Sequence, residues 1–108
     1  MARTVRWTEV ATSDLDEAAD FIARDSRYYA AALVRDARAA ARSLQTLADR
    51  GRRVPEAASG NIREIPVKSY RLIYSVTPDG VTILAFVHGA RDLPALWQAR
   101  TGTPDSET

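Results

Sequence analysis

The stretch SYRLIYSVTPDGVTILAFVHGARDLP, Ser69 to Pro94, decides the fold. Ser69 to Thr77 and Val81 to His88 are apolar on both faces, the pattern of strands buried centrally in a sheet. Between them lies Pro78-Asp79-Gly80, where proline presets a turn and glycine accepts a positive φ, so the two runs are expected to form a hairpin. Cations interrupt this apolar text. Arg71 sits inside the first run, and His88 and Arg91 close the second. On a strand, Arg71 reads either as a rim arginine paired with an acid, its stem lying along apolar neighbours, or as a grip on an anionic partner.

Outward toward the N-terminus, IREIPV is a third strand-like run, joined to the hairpin by Lys68-Ser69. Pro66 has no N–H to donate to a ladder, which puts this strand at an edge or ends it there. EAASGN is a polar connection. Before it, a helix is expected from about Tyr28 to Ala48, with Leu33, Ala37, Ala40, Leu44 and Leu47 as its buried stripe. DRGRRVPE stops that helix, with Gly51 as a candidate C-cap. An earlier helix is capped by Thr8 or Ser13 and buries Leu15, Ala18, Ala19 and Ile22; Asp14, Asp16 and Glu17 lie where the helix dipole favours acids. The two helices make an αα-hairpin. Arg3 to Trp7 alternates polar and apolar as a short edge strand.

Past HGARD, Leu93 to Arg100 is expected to form a short closing helix carrying Leu96 and Trp97. TGTPDSET, residues 101–108, has the composition of a disordered tail. The expected architecture is α+β: an N-terminal strand, then an αα-hairpin packed on an antiparallel sheet of about four strands, then a short C-terminal helix. Residues 1–100 form one domain.

The totals bound the function. At 108 residues the chain buries one core. Hydrophobic content of 45% and charged content of 27% are ordinary for a soluble globular protein. No run is long enough to span a membrane, and MARTVRW lacks the apolar core of a signal peptide, so the cytoplasm is the expected location. Zero cysteines exclude disulfides and thiolate metal sites, and the single histidine argues against histidine-based zinc; neither metal nor cofactor is expected. The net charge is only +1, yet of the 15 basic residues all but Lys68 are arginine. Between Asn61 and Arg91 the bases Arg63, Lys68, Arg71 and Arg91 face only Glu64 and Asp79, which makes this window mildly basic.

The element order, joined to IREIPVKSYRLIYSV and ILAFVHGARDLPALW, resembles the RelE/ParE family of toxins from bacterial type II toxin–antitoxin pairs. The likeness spans roughly Val5 to Leu96. It implies a compact toxin held inactive by a cognate antitoxin whose disordered C-terminal segment wraps the helical hairpin and the sheet in a hetero-oligomer. RelE-like members are ribosome-dependent endoribonucleases that cut messenger RNA, whereas ParE-like members inhibit DNA gyrase. Cutting RNA without a metal requires a base, cations to stabilise the crowded phosphorus, and an acid for the leaving oxygen. Under the RelE-like alternative the resemblance places Arg71 and Arg91 as the cations, and His88, the single histidine, stands in as acid or base. Where the RelE branch commonly has a tyrosine, this sequence has Trp97, whose indole donates a hydrogen bond but transfers no proton. Tyr70 and Tyr74 fall on the face opposite Arg71. HGARDLP without a tyrosine acid is closer to the ParE branch. A third possibility is an inactive module that only binds the antitoxin and helps repress the operon. In every case Arg63, Lys68, Arg71, Arg91 and Trp97 are the residues expected to meet an anionic partner or the antitoxin.

Overall fold

Thr8 starts the first helix. Its hydroxyl accepts the Ala11 N–H at 3.0 Å and donates to the Ile83 carbonyl at 2.9 Å, so the same side chain caps the helix and ties it to the sheet. The structure, a computed structural model, describes residues 3–54 and 61–89. The elements run β1 (Thr4–Trp7), α1 (Glu9–Ala23), α2 (Arg27–Ser43), a 3-10 turn (Ala48–Arg50), β2 (Arg52–Arg53), β3 (Ile62–Val67), β4 (Tyr70–Thr77) and β5 (Gly80–His88). The expected closing helix from Leu93 and the tail after residue 100 lie outside the described residues.

The class is α+β, two helices packed on one sheet, as expected. The sheet differs in detail. It has five strands in the order β1-β5-β4-β3-β2, and it is mixed: β1 lies parallel to β5, while the other pairs are antiparallel. β1 is an edge strand, as read. Gly80 admits it, for reasons of space. A Cβ there would stand 2.5 Å from the Thr4 carbonyl oxygen, and Gly80 does not have the positive φ expected of it. Among the described residues, the one that does enter the left-handed region is Lys68, with φ 54° in the β3–β4 turn.

α2 stops short of its expected end. Leu44 closes it, and its N–H bonds to the Ala41 carbonyl three residues back. The Ser43 hydroxyl donates to the Ala40 carbonyl at 2.6 Å and accepts from Arg50 Nη1 at 2.7 Å, an alternative to further helical bonding. Leu47, expected in the buried stripe, is therefore 58% exposed, and Ala41 is buried in its place. Gly51 is not a left-handed cap either; its φ is −78°. It is required by a close approach, since a Cβ would stand 2.5 Å from Tyr74 Oη and 2.7 Å from the Glu64 carbonyl oxygen.

Pro66 fits the edge reading. The Val54 N–H bonds to the Ile62 carbonyl across the β2 side, so the even-numbered residues of β3 direct their backbone groups outward. β2 pairs only as far as Glu64, and the N–H that Pro66 lacks would point past its end.

One sheet face packs on the helices: Leu15, Leu33 and Leu44 meet Ile65, Leu72, Tyr74, Ile83 and Phe86. The other face carries a smaller cluster of Val54, Ile62, Ile73, Ala85 and Val87. A bulge in β5 serves both. Ile73 pairs with Ala85 and Tyr74 with Ile83, which leaves Leu84 unpaired and shifts the alternation by one residue. Asp14 of α1 fastens the strand just beyond: its Oδ2 accepts the Phe86 N–H at 3.0 Å.

Candidate anion-binding site

Pairing places the predicted cations on different faces. Arg63 is opposite Tyr74 and shares its helix-side face, whereas Arg71 is opposite Val87 and belongs to the other face. The two guanidinium groups therefore do not line one hollow. His88 pairs with Tyr70, again on the helix side, with ring centroids 5.3 Å apart. Tyr70 and Tyr74 lie opposite Arg71 in face, as the alternation predicts. Arg91 and Trp97 lie outside the described residues.

Each cation has a partner. Arg63 Nη1 donates to the Gly51 carbonyl at 2.7 Å and its Nε lies 3.8 Å from the Asp49 carboxylate, so it holds the 3-10 segment against the sheet edge. Lys68 Nζ pairs with Asp36 of α2 at 3.0 Å. Arg71 Nη1 donates to Glu64 Oε1 at 2.9 Å, while Glu64 Oε2 accepts from Arg52 Nε at 2.5 Å. Glu64 is the one buried charged side chain among the described residues, 3% exposed, and Arg71 is 17% exposed. Arg71 is thus a rim arginine paired with an acid, and it borders a cavity.

That cavity, about 430 Å³, lies between the 3-10 turn and the β2–β3–β4 edge. Three arginines, Arg50, Arg52 and Arg71, line it with Glu64, Gly51 and Pro66. Arg50 and Arg52 stand in DRGRRVPE, whose sequence reads as a helix stop and not as part of a site. The available signal was the period-2 spacing of Glu64 and Pro66, which sends both to the face that Arg71 occupies.

Behind this wall, Tyr74 is fully buried. Its hydroxyl donates to the Ala48 carbonyl at 2.8 Å and accepts the Gly51 N–H at 3.0 Å. Burial raises the phenol above its ordinary range, against smaller opposing pulls from the Gly51 N–H and the Arg63 charge. A neutral, doubly bonded phenol is a brace for the 3-10 turn. Arg71 is engaged by Glu64 and stands on the face opposite His88. No group of three or more metal-ligating side chains occurs among the described residues, and no helix among them is long and apolar enough to cross a membrane.

Known proteins agree with this fold. No curated protein matches the chain in sequence. Among solved structures, a chain of the chromosomal ParDE toxin–antitoxin system from P. aeruginosa superposes with a TM-score of 0.66 at 21% identity, covering 81% of this chain and 96% of that one. A chain of the RelBE2 toxin–antitoxin complex from Mycobacterium tuberculosis superposes with a TM-score of 0.56 at 24% identity, covering 82% of this chain and 99% of that one. At these identities the likeness is one of fold. The family model of the ParE toxin of type II toxin–antitoxin systems, parDE, matches residues 5–93. With most of its length matched, this chain belongs to the ParE toxin family.

Proposed function

We propose that this toxin arrests bacterial growth from within the cytoplasm by inhibiting DNA gyrase, and that a cognate antitoxin neutralises it in a hetero-oligomeric complex. The observation that carries the reading is the ParE family match over residues 5–93. The separation of Arg71 from His88 supports it, because the nuclease alternative needs its cation and its proton-transfer group around one phosphate. Both structural neighbours come from toxin–antitoxin systems, which supports an antitoxin as partner.

Two measurements test this. Inducible expression without a partner arrests growth, and co-expression of the adjacent small reading frame restores it. Purified toxin blocks supercoiling by gyrase and leaves ribosome-bound message intact. Codon-specific message cleavage in a translating extract, abolished by Arg91→Ala, would replace this reading with the RelE-like one. Unimpaired growth would leave only an antitoxin-binding corepressor.

A further inference from the structure

We propose that the cavity between the 3-10 turn and the β2–β3–β4 edge is a recessed site for a single carboxylate, supplied by an acidic side chain of a bound polypeptide. The proposal concerns the isolated chain and is independent of the target that the toxin inhibits. Three guanidinium groups against one carboxylate give the cavity an excess of positive charge. Glu64 takes one nitrogen of Arg52 and one of Arg71, which holds both guanidinium groups in place and leaves donors unspent. One of these is marked: Arg71 Nε is buried and has no acceptor among the described residues. A buried donor without an acceptor is costly, and because Nε is closed to solvent an incoming oxygen meets it only by drawing the guanidinium group toward the cavity.

The same geometry chooses the source of the anion. A nucleic acid backbone presents a row of phosphates and is met by a stripe of cations along a surface. Here Arg63 and Lys68 are drawn away to Asp49 and Asp36, and the cluster that remains is compact, with a fixed carboxylate at its floor. Glu64 repels every incoming anion, a phosphate row with its several charges more than one carboxylate, and a carboxylate forms a charge-assisted fork with arginine. Pro66 supplies an apolar wall for the methylene stem of a glutamate. Along the outer edge of β3 the sheet has no strand partner beyond Glu64 among the described residues, so an extended segment has room to lie there.

The test titrates the full chain with acetyl-glutamate amide, its glutamine counterpart and inorganic phosphate, following backbone amides and arginine Nε–Hε signals by NMR. The glutamate probe moves the signals of Gly51, Arg52 and Arg71 saturably, and the glutamine probe does not. Arg52→Ala, at a side chain 72% exposed and therefore compatible with folding, weakens the glutamate probe about tenfold. Glu64→Gln removes the resident negative charge and tightens binding about fivefold, a gain that damage to the fold does not produce. Equal responses to both amides, or a response unchanged in Arg52→Ala, overturns the site. Tighter binding of phosphate than of the glutamate probe overturns the polypeptide source and makes this a phosphate site.

Discussion

Arg71 and Glu64 meet across adjacent strands, Nη1 to Oε1 at 2.9 Å, on the sheet face turned away from the helices. Glu64 is 3% exposed and, among the described residues, has one other cation, Arg52, which is itself 72% exposed. Removing one member of a buried pair leaves the other uncompensated, and that cost exceeds what the pair contributes over an apolar replacement. Arg71→Ala is therefore expected to destabilise the fold by about 3 kcal/mol. Arg52→Ala costs about 1 kcal/mol or less, as a solvent-screened partner should. The double variant Glu64→Leu/Arg71→Leu lies within about 1 kcal/mol of wild type. Urea unfolding of the four proteins checks the order; a double variant as unstable as Arg71→Ala would show that packing, and not the unpaired charge, sets the loss.

Tyr74 gives a pH dependence with a definite sign. Its folded-state phenol titrates above its unfolded value of about 10, because the charged form is poorly solvated in the core. Below about pH 10 both states hold the proton and Tyr74 contributes no slope. Above it the unfolded chain releases the proton first, so stability falls as pH rises toward the folded value. Tyr74→Phe abolishes this alkaline slope. It also strands the Gly51 N–H and the Ala48 carbonyl, which costs about 2 kcal/mol at neutral pH. Thermal melts of both proteins across the alkaline range decide it; parallel curves would assign the slope to other groups.

Periodicity made the helical hairpin, the central strands and the facing of Tyr70 and Tyr74 against Arg71 readable, because burial of one face imposes it residue by residue. What escaped depends on contacts far apart in the chain. Leu47 follows the helical spacing, yet Ser43 and Arg50 end the helix before it. Gly51 and Gly80 look like turn glycines and are required instead by the close approach of Tyr74 and Thr4. Parallel pairing of β1 with β5 joins residues more than seventy positions apart, which no local pattern encodes. The shared cation surface expected of Arg63 and Arg71 failed on parity alone: an even separation would place them on one face only within a single strand, and the turn at Lys68-Ser69 resets the count.

Asp14 has the sequence position of an acid favoured near a helix start, but it reaches the sheet, and its bond to the Phe86 N–H secures the strand beyond the Leu84 bulge. Asp14→Ala is expected to cost about 2 kcal/mol, and Asp14→Asn, which keeps an oxygen acceptor, about 1 kcal/mol. Hydrogen exchange supplies the specific readout. The Phe86 amide should lose protection in Asp14→Ala by more than the global stability loss explains. Loss of protection spread evenly over β5 would mean that Asp14 acts through general stability and not at the bulge.

The helical hairpin exposes three aromatic side chains near its turn: Phe21 is 62% exposed, Tyr28 74% and Tyr29 63%. They are not loose. Tyr28 and Tyr29 meet edge to face at 5.3 Å, and the Arg24 guanidinium lies 5.7 Å from the centre of the Phe21 ring. Large, pre-ordered aromatic rings of this kind dominate protein interfaces when a partner covers them. If the antitoxin lies along the hairpin, Phe21→Ala and Tyr28→Ala each weaken its binding about tenfold, measured by calorimetry. Neither should move the thermal midpoint of the free toxin appreciably, since both side chains are already in water. Leu33→Ala, fully buried in the helix–sheet core, should do the reverse and destabilise the toxin by about 3 kcal/mol. Unchanged affinity in both aromatic variants would move the antitoxin off this end of the hairpin and onto the sheet, where the arginine-lined cavity is the remaining anchor.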